Sequence, residues 1–186
     1  METKELEDKN KYKDTFLSTI IKLMIYITTI FVIAGVIPRY VIQRTVVDGQ
    51  SMANSLHDGD NLLIEKISCH LGNLERFDIV AFYPYGKEEE EYFIKRIIGL
   101  PGETVQIYDN EIYIDGELLR EDYGKTNIIS YLGITKDGLQ LEEDEYFLMG
   151  DNRKESFDSR YEEVGPVKIN EIGGKAIFRI WPLNRS

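Results

Sequence analysis

Residues 16–37, FLSTIIKLMIYITTIFVIAGVI, carry one charge, Lys22, and no acid. As a helix rising 1.5 Å per residue, such a run reaches about 33 Å, enough to cross the hydrocarbon core of a bilayer. A buried helix of a globular domain would show a polar face, and this one has none. A cleaved secretory signal is the competing reading. Its apolar core spans only about 7–15 residues behind a basic leader, whereas this run is longer and follows acids mixed with lysines. Lys22 lies just inside the start, where its stem can snorkel to the headgroups, and Pro38 is expected to stop the helix.

The predicted organisation is a charged segment at 1–15, irregular or resting on the membrane surface, then a transmembrane helix at 16–37 and a domain at 38–186. Lys4, Lys9, Lys11 and Lys13 precede the span, and only Arg39 and Arg44 follow closely. That bias predicts a single-pass protein with a cytoplasmic N-terminus and an extracytoplasmic domain. The lipid bilayer is thus one expected partner. From Thr45 onward there are 15 Lys and Arg against 28 Asp and Glu, a net charge of −13. An acidic surface of that size argues against nucleic acid as a partner. The single Cys69 cannot form an internal disulfide, and with His57 and His70 it is too sparse a set for a metal. No metal and no cofactor are expected, and nothing in the sequence fixes the oligomeric state.

Beyond the span, short apolar runs alternate with turn signals. Strands are expected at 40–47, 61–66, 76–83, 91–98, 105–108, 111–114, 146–149 and 174–181. Asp48-Gly49, Asp109-Asn110, Asp115-Gly116 and Gly150-Asp151-Asn152 are the turns. The acidic run 88–91 reads as a solvated hairpin turn. Residues 120–140, polar and irregular, are the candidate variable insertion. With no long amphipathic helix, the fold class is mainly β, an antiparallel domain behind one membrane helix.

Three segments carry chemistry: Gly49-Gln50-Ser51-Met52, the strand and turn Tyr92–Glu103 (YFIKRIIGLPGE), and GDNRKESFDSR at 150–160. Alone, the first reads equally as a polar turn, and a strand lysine is usually an exposed edge residue. Alternation sharpens Lys95: Phe93, Lys95 and Ile97 share one strand face, so two large apolar groups flank the amine. Burial there disfavours the ammonium and lowers its pKa, and a lysine neutral near pH 8 can take a proton from a serine hydroxyl. A Ser-His-Asp triad is the alternative, but neither His57 nor His70 has an evident acid to orient it.

Together these segments resemble bacterial type I signal peptidases, over almost the whole chain: the span, Ser51-Met52, Gly59-Asp60 with the strand after it, KRIIGLPGE and GDNRKESFDSR. The closing segment 174–183, ending Trp181-Pro182-Leu183, resembles the Gram-positive branch. The resemblance implies that Ser51 is the acylating nucleophile and Lys95 the general base of a serine endopeptidase. It implies that Ser156 hydrogen-bonds and orients the lysine, and that Asp158 and Arg160 support the site. The implied substrates are signal peptides of secreted preproteins, cut after small residues. The implied fold is a β-rich core with a smaller β insertion within 104–145. Two positions depart from the family pattern. Asn54 stands where Ser-Met-x-Pro-Thr has proline, which removes a φ restraint from the loop. Gly49 stands where some members have a serine hydroxyl, leaving the oxyanion to backbone N–H groups including that of Ser51. Two other readings fit less: a self-cleaving repressor-type peptidase with the same dyad, disfavoured by the span, and an inactive membrane-tethered peptide-binding domain, which would need neither Ser51 nor Lys95.

Overall fold

The computed structural model describes residues 2–89, 91–124 and 131–182, in two units, Met1–Val41 and Ile42–Ser186. The first unit is helical. α1 (Glu2–Phe31) passes through a π-helical turn, Val32–Val36, into α2 (Ile37–Tyr40). Within it Thr15–Gly35 is long and apolar enough to cross a membrane, with a mean hydropathy of 2.1. Its apolar side chains, Phe16, Leu23, Met24 and Ile27 among them, are exposed. Thr19 and Thr29 donate their hydroxyls to the carbonyls of Thr15 and Ile25, which hides each polar group in the helix's own backbone.

Two expectations are corrected by the helical unit. The segment before the span is helical from Glu2 instead of irregular; Glu5/Lys9 and Glu7/Lys11 have the i, i+4 spacing that favours a helix. Pro38 does not end the helix. It directly follows the π-helical turn Val32–Val36 and Ile37, where the widened backbone accommodates a residue without an N–H, and the helix runs to Tyr40.

The second unit is β-rich. In chain order its strands are β1 (Ile42–Val46), β2 (Asn61–Glu65), β3 (Ile79–Phe82), β4 (Phe93–Gly99), β5 (Thr104–Tyr108), β6 (Glu111–Ile114), β7 (Glu117–Leu118), β8 (Leu139–Gln140), β9 (Glu145–Met149), β10 (Val167–Lys168) and β11 (Ile172–Trp181). Among the described residues they form two antiparallel sheets, ordered β1-β2-β11-β3-β4-β9-β10 and β7-β6-β5-β8. The eight predicted strands are all present, within one to three residues at their ends. β3 starts late because Phe77, at φ 74°, breaks the extended backbone. The β5–β6 hairpin turns on Asp109 and Asn110, both at positive φ as a tight primed turn requires.

The elements that the sequence did not announce are short. α3 (Ile67–Leu71) has only five residues, its first N–H groups capped by the Glu65 carboxylate and its end closed by left-handed Gly72. β7, β8 and β10 have two residues each, too few to show a period. The expected irregular stretch 120–140 holds a 3₁₀ turn at Gly133–Thr135 and β8; its residues 125–130, like Glu90 of the acidic run and Leu183 of the closing segment, lie outside the described residues.

β4 is the most deeply enclosed strand. It runs between β3 and β9, and residues 94–99 are all buried. Ile97 packs with Val80, Phe82 and Leu148 in one core cluster; Ile98 packs with Val105, Ile107 and Phe147 in another. A lysine on such a strand cannot keep its hydration shell.

Candidate active site

The β1–β2 connection carries Ser51. Met52 is the anchor, 1% exposed and packed with Val47, Leu56, Leu62, Ile64 and Ile94. With that side chain inside the core, its neighbour Ser51 is left half-buried at the surface. Gly49 makes the approach to Ser51. Its φ of 92° lies in the region that favours glycine, and its N–H donates to Asp58 Oδ1 at 3.0 Å. A serine at this position would be strained at this φ.

Lys95 comes to the same point from the centre of the sheet. Its Nζ lies 2.8 Å from Ser51 Oγ, a distance that suits an ammonium donating to the hydroxyl or the hydroxyl donating to a neutral amine. Lys95 is 4% exposed, and its Nζ sits 5.1 Å from the centre of the Phe93 ring. Burial pulls the amine from 10.5 down to about 8. The Asp158 carboxylate opposes the fall, the Arg160 guanidinium adds to it, and Asp151 opposes it more weakly. The alternation of side chains along β4 predicted this environment.

The 150–160 segment packs against the serine loop. Asn152 donates its N–H to Ser51 O at 3.0 Å and its side-chain amide to Gln50 O at 3.1 Å. Asp158, fully buried, accepts from Gly150 N–H at 3.0 Å and pairs with Arg160 at 2.8 Å. Arg160 also donates to Ser156 O at 3.2 Å. Ser156 departs from expectation. Its Oγ is buried and makes no hydrogen bond, neither to Lys95 nor to another group. The side chain lies against Gly150, where a Cβ would overlap Ser156 Oγ and come within 2.5 Å of Ser51 O. The Lys95 amine engages Ser51 instead.

Several residues of the site escaped the sequence reading. Arg96 clasps Asp151 through two bonds of 2.8 and 2.6 Å, both partners buried, and Arg153, 2% exposed, pairs with Glu121 at 2.6 Å. The signal for the first was available: Arg96 follows Lys95 on a strand, so it must face the other way. Asn54, the departure from the proline pattern, donates to the carbonyls of Tyr123 and Asp151. A groove runs past the serine, lined by Val46, Asp48, Gly49, Tyr92, Phe93 and Phe157. His57 is exposed, and His70 Nδ1 contacts Lys66 O at 2.7 Å; neither lines the groove. Among the described residues, no three His, Cys, Asp or Glu side chains group as a metal site would require.

Comparisons with known proteins agree over most of the chain. The family model described as signal peptidase, peptidase S26, matches residues 20–181. The chain is 34% identical to a signal peptidase I of Bacillus licheniformis over 184 residues, 96% of each protein. It is 35% identical to signal peptidase I T of Bacillus subtilis (strain 168), over 82% of this chain and 80% of that one. A crystal structure of a signal peptidase I from Enterococcus faecalis V583 is 37% identical, covering 55% of this chain and 95% of that one at a TM-score of 0.45.

Proposed function

Because this chain belongs to the peptidase S26 family of bacterial type I signal peptidases, we propose that its Ser51–Lys95 pair removes signal peptides from exported preproteins by acyl transfer, cutting after small residues. The observation that carries this is the 2.8 Å approach of a buried, easily deprotonated amine to a half-buried serine hydroxyl in an open groove. Neutral Lys95 accepts the Ser51 proton as Oγ bonds to the scissile carbonyl carbon. The carbonyl oxygen takes up the negative charge, facing the Ser51 N–H, which donates to no other group among the described residues. The Lys95 ammonium then protonates the departing amine, the C–N bond breaks, and an acyl-enzyme remains. A water gives one proton to Lys95 as its oxygen attacks the ester carbonyl, and the ammonium returns that proton to Ser51 Oγ as the C–O bond breaks, which frees the acid product and restores the neutral amine.

The end of β1 and the start of β4 both line the groove, which gives an extended peptide strand backbone to pair with. Asp158 and Arg160 act through the structure, as a buried pair that holds the 150–160 segment. The family membership speaks against the self-cleaving repressor, and the Ser51–Lys95 approach at 2.8 Å favours an active enzyme over the inactive binding domain. The enzyme is held at the membrane by the helix at 16–37, with 1–15 in the cytoplasm, the catalytic domain at 38–186 outside, and 104–145 a variable β insertion on that domain. The test is cleavage of a labelled preprotein carrying Ala-x-Ala by detergent-solubilised enzyme, with the new N-terminus read by mass spectrometry. Wild type is expected to cut once after the second alanine and Ser51→Ala not at all. Undiminished cleavage by Ser51→Ala overturns the reading.

A further inference from the structure

The turn that presents Ser51 is bonded internally through the N–H groups of Ala53, Ser55 and Leu56, which reach the carbonyls of Gln50 and Met52. Asn54 contributes no N–H to that set, and its φ is not left-handed. Its side chain reaches out of the turn instead. Nδ2 donates to Tyr123 O at 3.0 Å and to Asp151 O at 3.1 Å, which uses both amide hydrogens. The two acceptors belong to different segments, and Arg96 links each of them back to the turn. It clasps the Asp151 carboxylate, donates to Ser55 Oγ at 3.2 Å, and stacks its guanidinium 3.5 Å from the centre of the Tyr123 ring. The contacts close a ring: Asn54, Asp151, Arg96, Tyr123 and Asn54 again. Ser51 is tied to this ring, since Asn152, next to Asp151, donates its N–H to Ser51 O at 3.0 Å.

Resting on the reading of Ser51 as nucleophile, we propose that Asn54 is a positioning residue: its amide clamps the serine turn to the Asp151 and Tyr123 segments, a restraint that proline at the same position would supply through φ. Only a side chain with two N–H donors at this position reaches both carbonyls. A carboxylate of the same shape has neither donor and would set negative charge against two carbonyl oxygens. Proline would restrain the turn by another route, fixing φ near about −65° without removing an N–H that the turn uses. The clamp also gives Tyr123, in a segment distant along the chain from Ser51, a bearing on kcat.

The experiment measures kcat and KM separately on a small-residue peptide, using full-length enzyme in detergent: wild type, Asn54→Asp, Asn54→Pro and Ser51→Ala. Loosening a nucleophile without touching the groove lowers kcat and spares KM. Asn54→Asp is expected to lose about tenfold to hundredfold in kcat, with KM changed by less than about twofold. Asn54→Pro is expected to stay within about threefold of wild type, because φ is restrained again. Wild-type kcat in Asn54→Asp overturns the proposal, and so does a loss that appears mainly in KM or that Asn54→Pro shares in full. Ser51→Ala keeps the two claims apart. Cleavage surviving in Ser51→Ala sinks the nucleophile reading whatever Asn54 does. An inactive Ser51→Ala beside a fully active Asn54→Asp sinks the clamp alone.

Discussion

Lys95 and Arg96 are consecutive on β4 and hold opposite sides of one loop system: Lys95 meets Ser51 at 2.8 Å, and Arg96 clasps Asp151 at 2.8 and 2.6 Å. The strand's two-residue period produces this division. One face delivers an amine to the serine, and the other anchors the turn whose Asn152 N–H holds Ser51 O. A single strand, buried from Ile94 to Gly99, therefore sets both ends of the geometry. Sites built on a strand in this way keep tighter positions than sites built on loops alone.

The Arg96–Asp151 pair is sealed from water, so removing one partner strands the other charge. Asp151→Asn is expected to cost about 3 kcal/mol or more of stability, read as a shift in the urea midpoint. The double variant Arg96→Met/Asp151→Leu buries no charge and should cost less than the two single changes added together. Additive losses would mean that the pair is not coupled as its geometry implies.

Ser156 offers a separation of stability from activity. Its Oγ is buried without a hydrogen bond, so Ser156→Ala removes an unsatisfied hydroxyl and should leave Tm unchanged or slightly raised. The hydroxyl and Ser51 O both lie against Gly150, which keeps it in the surroundings of the reacting serine. In the proposed reaction, once Lys95 has taken the Ser51 proton, a hydroxyl with a vacant lone pair can receive the ammonium. Ser156→Ala is therefore expected to lower kcat by about tenfold or more, with KM unchanged. A large rise in KM at constant kcat would move Ser156 to the substrate surface.

Gly150→Ala tests the close approach of the two serine-bearing segments. The residue is not in a left-handed conformation, so the penalty is steric alone. A Cβ would stand 2.5 Å from Ser51 O and 2.6 Å from Ser156 Cβ, closer than atoms can approach. The backbone must move, and Ser51 with it. Loss of at least about a hundredfold in kcat/KM is expected. Adding Ser156→Gly should recover only part, because the clash with the Ser51 carbonyl persists.

Much of this was legible in the residues. Strand periods located the eight longer strands, and the face shared by Phe93, Lys95 and Ile97 announced a desolvated amine. The resemblance carried by Ser51-Met52, KRIIGLPGE and GDNRKESFDSR named the serine that the amine meets. What stayed hidden was of two kinds. Two-residue strands and the five-residue α3 are too short to express a period, and they exist because longer neighbours pair or cap them. The Asn54 clamp and the Arg153–Glu121 pair join residues 32 to 97 positions apart, and no local pattern encodes such a contact. Asn54 is instructive: as a lost proline it predicted a looser loop, yet its amide supplies two bonds that proline could not make.

The pH dependence rests on Lys95. Burial holds the amine at about 8, against 10.5 for a free lysine. As the proposed base it works only when neutral, so kcat/KM should rise with pH through a single ionisation near 8 and level off above it. Lys95→Arg should be inactive, because guanidinium keeps its proton throughout. Asp158→Asn should move the limb to lower pH, since Asp158 is the largest charge holding the ammonium in place and its loss leaves Arg160 opposed only by the weaker Asp151. Stability carries the same signature with a definite sign. The folded pKa is depressed, so between about pH 8 and 10.5 the unfolded chain binds a proton on Lys95 that the folded chain has released. This group alone therefore makes folding more favourable as pH climbs through that window, and below it the buried ammonium is a constant penalty. Lys95→Met, similar in length and uncharged, should abolish cleavage while raising Tm at pH 7. A kcat/KM profile from pH 5 to 10, with melting curves for Lys95→Met at pH 7 and 9.5, reads both effects. Full activity at pH 6, or appreciable turnover by Lys95→Arg, would require a base other than Lys95.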